Sequence, residues 1–255
     1  MGKNVVISAK DLCKTYIVND MSNNVLQNVN FQIEEGEFVT IMGPSGSGKS
    51  TLLYTVSGMD NMTSGEVIFC GKELSKLSAK ELSGERLTTM GFIFQQMYMM
   101  KKLCIMDNIL LPAFHAGLVS REKAKEDAGE LMKRLGVWDV AEHEITEVSG
   151  GQLQRACLCR ALINHPRVLF ADEPTGALNS KAAADVMREL NAVNKAGTTI
   201  LMVSHSVRVA AGSERIIYLV DGNLKGEIHL GKLDDEQDLG KRERTLNTWL
   251  MEQGW

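Results

Sequence analysis

A glycine-rich run of nine residues restricts the possible folds of this chain more strongly than any other part of it. The run is Gly43-Pro44-Ser45-Gly46-Ser47-Gly48-Lys49-Ser50-Thr51, and it fills every fixed position of the pattern G-x-x-x-x-G-K-[ST]. Residues 37–41 before it have the pattern of a strand, and residues 50–54 after it that of a helix. The backbone N–H groups of such a loop and the positive end of the following helix bind phosphate. We therefore predict a P-loop in which Lys49 contacts the β- and γ-phosphates and Ser50 contacts Mg²⁺.

Composition excludes several other classes of protein. The chain has 255 residues, enough for one large α/β domain or two small ones. Its formal charge is -4, with acidic and basic residues mixed along the chain, so nucleic acid is not an expected partner. The longest apolar runs are far shorter than the ~18 residues of a membrane span, and no apolar signal segment follows Met1. We therefore expect a cytoplasmic protein.

The five cysteines are scattered and form no C-x-x-C pair, as is usual for reduced thiols. Cys157 and Cys159 are close enough in sequence to raise the question of a metal site. In a helix, however, residues two apart point to different faces and cannot chelate one ion together. We expect both to be buried as small apolar groups.

Alternating strands and helices predict an α/β fold with a mainly parallel sheet. Residues 5–9 and 29–33 are predicted strands of an N-terminal antiparallel β-subdomain, and residues 216–228 predict a hairpin. A helical subdomain at about 96–150 is inserted into the P-loop NTPase core; its expected helices include Met97–Ile109 and Ser120–Leu135. We assign residues 1–230 to this P-loop domain and residues 231–255 to a C-terminal extension with a short amphipathic helix.

Four polar side chains follow predicted strands of the parallel sheet, whose carboxyl ends form the usual ligand site. Asp172 ends a fully apolar strand and is suited to hold Mg²⁺ together with Ser50. Glu173 is the candidate general base, and His205 the candidate that orients the attacking water. Gln95, after a further strand, lies at the same edge. The alternatives are a salt-bridged surface pair of Asp172 and Glu173 and a structural histidine.

Two further features concern the nucleotide. Ser149-Gly150-Gly151-Gln152 begins a helix and offers a hydroxyl and free N–H groups to an anion. A head-to-tail pair of chains would bring this segment over the P-loop of its partner and enclose two ATP molecules. Tyr16 is either a stacking ring for the base or an ordinary packed tyrosine.

Two apolar stretches have an open role. Five methionines between residues 90 and 106 suit either a docking groove or an ordinary core. In the C-terminal helix Leu246, Trp249 and Leu250 share one face. That face is expected to pack within the chain, with a partner surface as the alternative.

Over residues 3–230 the chain resembles an ATP-binding cassette (ABC) ATPase subunit of a membrane transporter. Tyr16 resembles that family's base-stacking aromatic residue, residues 43–51 its Walker A motif, and Gln95 its Q-loop glutamine. Residues 148–152 resemble its LSGGQ sequence, Asp172 and Glu173 its Walker B pair, residues 177–180 its D-loop, and His205 its switch histidine. The resemblance implies ATP and Mg²⁺ as cofactors, with Gln95 near the metal, and ATP-driven dimer closure that Gln95 and the helical subdomain transmit to a permease.

Three positions depart from the family pattern. Val148 replaces the usual leucine, Asn179 stands where the D-loop usually has aspartate, and Ser206 stands where an acid often follows the histidine. The metal, base and phosphate positions all match.

Within the family, residues 43–50, 91–96 and 172–178 resemble the branch that serves FtsX-like permeases, including peptide-antibiotic resistance systems. The resemblance implies a homodimeric ATPase, peripheral on the inner face of the membrane, that powers such a permease. The alternative is a non-transport ATPase that drives a membrane partner mechanically or in signalling.

Overall fold

A computed structural model describes residues 4–233 and 236–255. Its strands are β1 Val5–Val18, β2 Met21–Glu34, β3 Phe38–Met42, β4 Ser64–Phe69, β5 Lys72–Glu73, β6 Met90–Ile93, β7 Val168–Asp172, β8 Thr199–Val203, β9 Arg215–Val220 and β10 Asn223–His229. Its helices are α1 Lys49–Val56, α2 Ala79–Thr88, α3 Ile105–Ala116, α4 Arg121–Arg134, α5 Gly150–Leu162, α6 Ser180–Lys195, α7 Val207–Ala210 and α8 Leu239–Glu252.

The centre of the molecule is a six-stranded sheet in the order β10-β9-β3-β8-β7-β6. Strands β9, β3, β8, β7 and β6 are parallel, and only β10 pairs antiparallel. The buried strands β3, β7 and β8 are apolar along most of their length because both faces of the sheet are covered. The predicted α/β class and mainly parallel sheet are confirmed.

The parallel arrangement brings four chain segments to one edge of this sheet. β3 runs into Gly43, β7 ends at Asp172, and β8 leads to His205. Gln95 was predicted to close its strand, but β6 ends at Ile93, two residues earlier. The sheet order places the histidine strand β8 between the phosphate-loop strand and the aspartate strand.

The N-terminal antiparallel sheet has the order β2-β1-β4-β5 and confirms the predicted β-subdomain. Its first two strands were predicted too short, since each spans 14 residues. The register shifts around Asp11 and Lys14, and both Asp11 and Asn28 have positive φ. These irregularities break the alternation of polar and apolar residues that marks a strand in sequence.

Two apolar clusters cover opposite faces of the large sheet, and successive strand residues alternate between them. In β8, Leu201 and Val203 join the cluster that contains α1 and the antiparallel sheet. Ile200 and Met202 join the cluster that contains α3, α4, α5 and α6. The inserted helices are thus packed against the same sheet that carries the phosphate loop.

The predicted helix Met97–Ile109 is wrong in its first half, because α3 begins only at Ile105. Asn108 is fully buried and explains the difference. Its side chain accepts from the N–H of Met100 at 2.7 Å and donates to the carbonyl groups of Met100, Leu103 and Cys104. These bonds hold the methionine-rich stretch as a loop across the start of α3. Residues 72–86 are polar and their sequence favours a helix, but they contain the strand β5 before α2 begins.

The C-terminal helix packs within the chain, as expected. Leu246 and Leu250 are fully buried against Tyr218 and Ile216 of β9, and Trp249 lies 6.2 Å from the Tyr218 ring. Positions 234 and 235 of the extension lie outside the described residues. Within the described ranges, no helix is long and apolar enough to cross a membrane.

Arg242 fastens this helix to the rest of the chain. Its guanidinium is buried and donates to the backbone carbonyl groups of Ala211, Ser213, Leu230, Gly231 and Lys232. We expect Arg242→Met to lower the free energy of unfolding by about 3 kcal/mol, because several carbonyl groups lose a charged donor. Urea denaturation measures this loss.

Arg244→Met is the matched control on the same helix. Arg244 is exposed, and its guanidinium donates to the carbonyl oxygen of Gly240 in the preceding turn, so its loss should change the free energy of unfolding by less than about 0.5 kcal/mol. Equal effects of the two substitutions would contradict the anchoring role of Arg242.

Candidate functional site

Close packing fixes the shape of the phosphate loop and explains its glycines. A Cβ on Gly43 would lie 2.0 Å from the carbonyl oxygen of Leu219. Gly48 has φ +96°, and a Cβ there would lie 2.8 Å from the carbonyl oxygen of Val25. The loop is also tied to the turn after β9, because the N–H of Gly222 donates to the carbonyl of Ser47 at 3.1 Å. Only glycine fits at these positions without strain.

Lys49 lies at the centre of the loop and at the start of α1. Its ammonium group donates to the carbonyl oxygens of Gly43 at 2.9 Å and Pro44 at 2.8 Å. Burial lowers the pKa of Lys49, while the negative charges of Glu173 and Asp172 oppose that change. The charge is thus held beside the N-terminus of α1, where an anion is stabilised. Ser47 Oγ is buried without a hydrogen-bond partner among the described residues, which leaves a polar atom for a phosphate.

Ser50 and Asp172 come together as the sequence predicts. Ser50 Oγ donates to Asp172 Oδ1 at 2.8 Å, and Asp172 is buried. A hydroxyl and a carboxylate are hard oxygen donors that fit Mg²⁺, which usually takes one or two protein ligands plus phosphates and waters. The described residues contain no group of three or more His, Cys, Asp or Glu that could hold a metal ion.

Tyr54 is a third member of this cluster that was not predicted from the sequence. Its hydroxyl donates to Asp172 Oδ2 at 2.6 Å, so both carboxylate oxygens are bonded. Burial, followed by the bond to Asp172, raises the pKa of Tyr54. Ser50 and Tyr54 are four residues apart on α1 and therefore share one face, which is the signal that would have found this tyrosine.

Glu173 and His205 meet at the same sheet edge. Glu173 Oε1 lies 2.9 Å from His205 Nδ1, with the glutamate side chain mostly buried and the histidine ring exposed. Glu173 has φ +46°, and its N–H donates to the carbonyl of Val203 at 3.1 Å. With this backbone conformation, the Glu173 carboxylate turns from the direction of β7 toward His205, which follows β8. A salt-bridged surface pair of Asp172 and Glu173 does not describe this arrangement, because Asp172 is buried.

Gln95 and Tyr16 lie at the margins of the site. Gln95 is exposed, and its amide nitrogen would lie 3.9 Å from a Cβ on Gly176. The hydrogen bonds of Ser50 and Asp172 described above do not include it. Tyr16 is 37% exposed and donates to Asp60. Its pKa is raised by burial and Asp60, while a bond with the Thr51 side chain opposes the rise, so Tyr16 lies beside the phosphate loop.

Ser149 caps α5 and leaves its N-terminus open. Ser149 Oγ accepts from the N–H of Gln152 at 3.3 Å, and Gln152 Oε1 accepts from the N–H of Ser149 at 2.9 Å. Ser149 and Gly150 are exposed. A Cβ on Gly151 would lie 3.3 Å from Cβ of Ala182, so this glycine lets α5 approach α6. The exposed helix start is able to meet an anion from outside the chain.

Two of the three residues that depart from the family pattern, Asn179 and Ser206, cap helices. Asn179 Oδ1 accepts from the N–H of Ala182 at 2.9 Å at the start of α6. Ser206 Oγ accepts from the N–H of Val209 at 3.4 Å at the start of α7. Asparagine and serine cap helices about as well as aspartate, so both residues preserve the local fold. Cys157 and Cys159 are buried as expected, and burial raises their pKa values to about 11 and about 12.

A phosphate loop, a buried aspartate beside its serine, and a glutamate-histidine pair at one sheet edge define a P-loop ATPase. Comparison with known proteins makes this assignment specific. The family model described as "ABC transporter" matches residues 26–176. The chain therefore belongs to the ABC transporter family as one of its ATP-binding proteins, and it hydrolyses ATP.

Relatives from bacteria and archaea support this. The bacitracin export ATP-binding protein BceA of Halalkalibacterium halodurans is 38% identical over 227 residues, which cover 89% of each chain. The macrolide export ATP-binding/permease protein MacB of Chlorobium luteolum is 40% identical over 83% of this chain and 32% of its own. A solved dimer of the ATP-binding cassette MJ0796 of Methanocaldococcus jannaschii, with ADP and Pi, has a TM-score of 0.83 at 39% identity. That comparison covers 89% of this chain and 100% of the other.

Proposed function

We propose that two copies of this chain enclose two ATP molecules and power an FtsX-like permease that exports, or gives resistance to, antimicrobial peptides. The observation that carries the proposal is the division of the nucleotide site. Lys49, Asp172 and Glu173 lie at one sheet edge, while the exposed cap at Ser149 lies at the start of α5, a different element. A head-to-tail pair completes both sites at once. The relative named for bacitracin export supports the class of substrate, because bacitracin is a peptide antibiotic.

In this proposal each residue has a stated task. The phosphate loop, residues 43–51, holds the phosphates, with Ser50, Asp172 and Gln95 around Mg²⁺, which neutralises phosphate charge when it is bound. Glu173 accepts a proton from the attacking water, and His205 orients that water. Tyr16 stacks on the base, and residues 149–152 of the partner contact the γ-phosphate.

The permease contact is proposed at a groove of about 210 Å³ between β6 and the inserted helices. Phe92, Phe94 and Tyr98 form an aromatic row along it, with centroid distances of 5.8 and 5.4 Å between successive rings. Arg86 and Arg160 bring positive charge to the same groove. This lining fits a short amphipathic cytoplasmic helix with an acidic residue. Gln95 follows Phe94 directly in the sequence, so it would link the nucleotide site to the permease contact, and the permease would hold the chain at the inner face of the membrane.

Tyr98→Glu tests the groove, because Tyr98 is 64% exposed and its loss should leave the fold intact. We expect about 30-fold weaker binding to the permease, the usual loss at a central aromatic contact, with basal ATP hydrolysis unchanged. In a strain that lacks the chain, the wild type should restore peptide-antibiotic resistance and the variant should not. The measurements are pull-down with the permease encoded beside this chain and growth at increasing bacitracin.

Leu118→Glu is the control, since Leu118 is 60% exposed at the turn after α3 and lies outside the groove. It should behave as the wild type. Full resistance with Tyr98→Glu would contradict the groove. A deletion strain with unchanged peptide sensitivity would instead favour the alternative, an ATPase that drives a membrane partner mechanically or in signalling.

A further inference from the structure

Both oxygens of the Asp172 carboxylate are occupied by hydroxyl groups from the same face of α1. Ser50 bonds Oδ1 and Tyr54 bonds Oδ2. Ser50 belongs to the phosphate loop, so its hydroxyl is able to turn toward a metal ion. Tyr54 lies one helical turn farther from the loop and has no such alternative partner among its described hydrogen bonds.

We propose that Tyr54 is a positioning residue, which holds Asp172 in the orientation that receives Mg²⁺ beside Ser50. The carboxylate is buried, so it needs donors for the oxygen that does not face the metal. Tyr54 supplies that donor at 2.6 Å, a length typical of a hydrogen bond to an ionised acceptor. Outer partners of this kind fix the direction of a metal ligand and its affinity for the ion.

The ring of Tyr54 is itself in contact with a second aromatic ring, that of Phe94. Its centroid lies 6.4 Å from that of Phe94, the residue before Gln95, at an interplanar angle of 43°. A tilted aromatic contact at this distance restricts the ring, and a restricted ring keeps the hydroxyl in place. The inference rests on the Mg²⁺ site proposed above and does not depend on the identity of the permease.

Tyr54→Phe is the direct test, because it removes the hydroxyl and keeps the ring. We expect the Mg²⁺ concentration that gives half-maximal nucleotide binding to rise about 10-fold, the usual effect of losing such a partner. ATP affinity in EDTA should stay unchanged, because the phosphate loop is intact. Calorimetric titrations of a non-hydrolysable ATP analogue at a series of Mg²⁺ concentrations measure both quantities. High Mg²⁺ should restore the rate of hydrolysis.

Thr55→Val is the matched control. Thr55 is the next residue on α1 and is buried, and its hydroxyl donates to the backbone carbonyl of Thr51, so this substitution also removes one buried hydroxyl. Its Mg²⁺ dependence should equal that of the wild type. A melting temperature of Tyr54→Phe close to the wild-type value shows that the variant is folded.

Two outcomes would overturn the role of Tyr54 alone. One is an unchanged Mg²⁺ dependence in Tyr54→Phe. The other is an equal loss of nucleotide affinity with Mg²⁺ and in EDTA, which would place the effect in the phosphate loop or the fold. Nucleotide binding by the wild type that does not respond to Mg²⁺ would overturn the metal site and the role of Tyr54 together.

Discussion

Glu173→Gln is expected to reduce ATP hydrolysis by at least about 100-fold while ATP binding is retained. The amide keeps the size of the carboxylate but cannot accept a proton from water. Glu173 lies 2.9 Å from His205 Nδ1 and does not bond to Ser50, so the phosphate loop and the Asp172 cluster stay intact. Steady-state release of phosphate measures the rate, and filter binding of labelled ATP measures retention.

The same variant should accumulate as a dimer with ATP, because the enclosed nucleotide is not consumed. Size-exclusion chromatography with and without ATP detects this dimer. Adding Ser149→Arg should abolish the dimer, since Ser149 is exposed and a large cation would block its approach to the partner. Glu252→Gln, an exposed position at the end of α8, is the control and should hydrolyse ATP normally. Ordinary turnover by Glu173→Gln would remove Glu173 from the role of general base.

Lys49→Ala should lower ATP affinity about 100-fold, a loss of about 2.7 kcal/mol, because charged hydrogen bonds to phosphate are among the strongest in proteins. The ammonium group of Lys49 now bonds the carbonyl oxygens of Gly43 and Pro44, so it is already placed inside the loop. Isothermal titration with ATP and Mg²⁺ measures the affinity.

Lys80→Ala is the control for charge alone, since Lys80 is exposed near the start of α2. It should bind ATP as the wild type does. If Lys49→Ala kept its full affinity, residues 43–51 would not be the phosphate site.

Structures that are determined by residues close together in the sequence could be predicted from it. The phosphate loop is one such structure: the strand before it, the glycines and the helix after it lie within 20 residues. The apolar strands β7 and β8 are another, since burial on both faces leaves a continuous apolar run. The roles of the individual site residues stay predictions until the variants are measured.

Features that depend on contacts between residues far apart in the sequence could not be predicted from local patterns. The loop at 97–104 looks helical in sequence, but a buried side chain at Asn108 and two bonds from Arg160 to the carbonyls of Met97 and Tyr98 hold it in another shape. Tyr54 was missed for the same reason, because its partner Asp172 is 118 positions away. The length of β1 and β2 was hidden by residues in the left-handed region, such as Asp11 and Asn28.

The bond between Gly222 and Ser47 has a consequence for the order in which the molecule is assembled during synthesis. β3 is flanked by β8 and β9, which leave the ribosome more than 150 residues after it. The carbonyl of Leu219 and the turn at Gly222 supply part of the wall against which the loop is shaped. The complete glycine motif is therefore synthesised long before the residues around Leu219 and Gly222 that shape the phosphate loop. Nucleotide can bind and stabilise the protein only after most of the chain has left the ribosome.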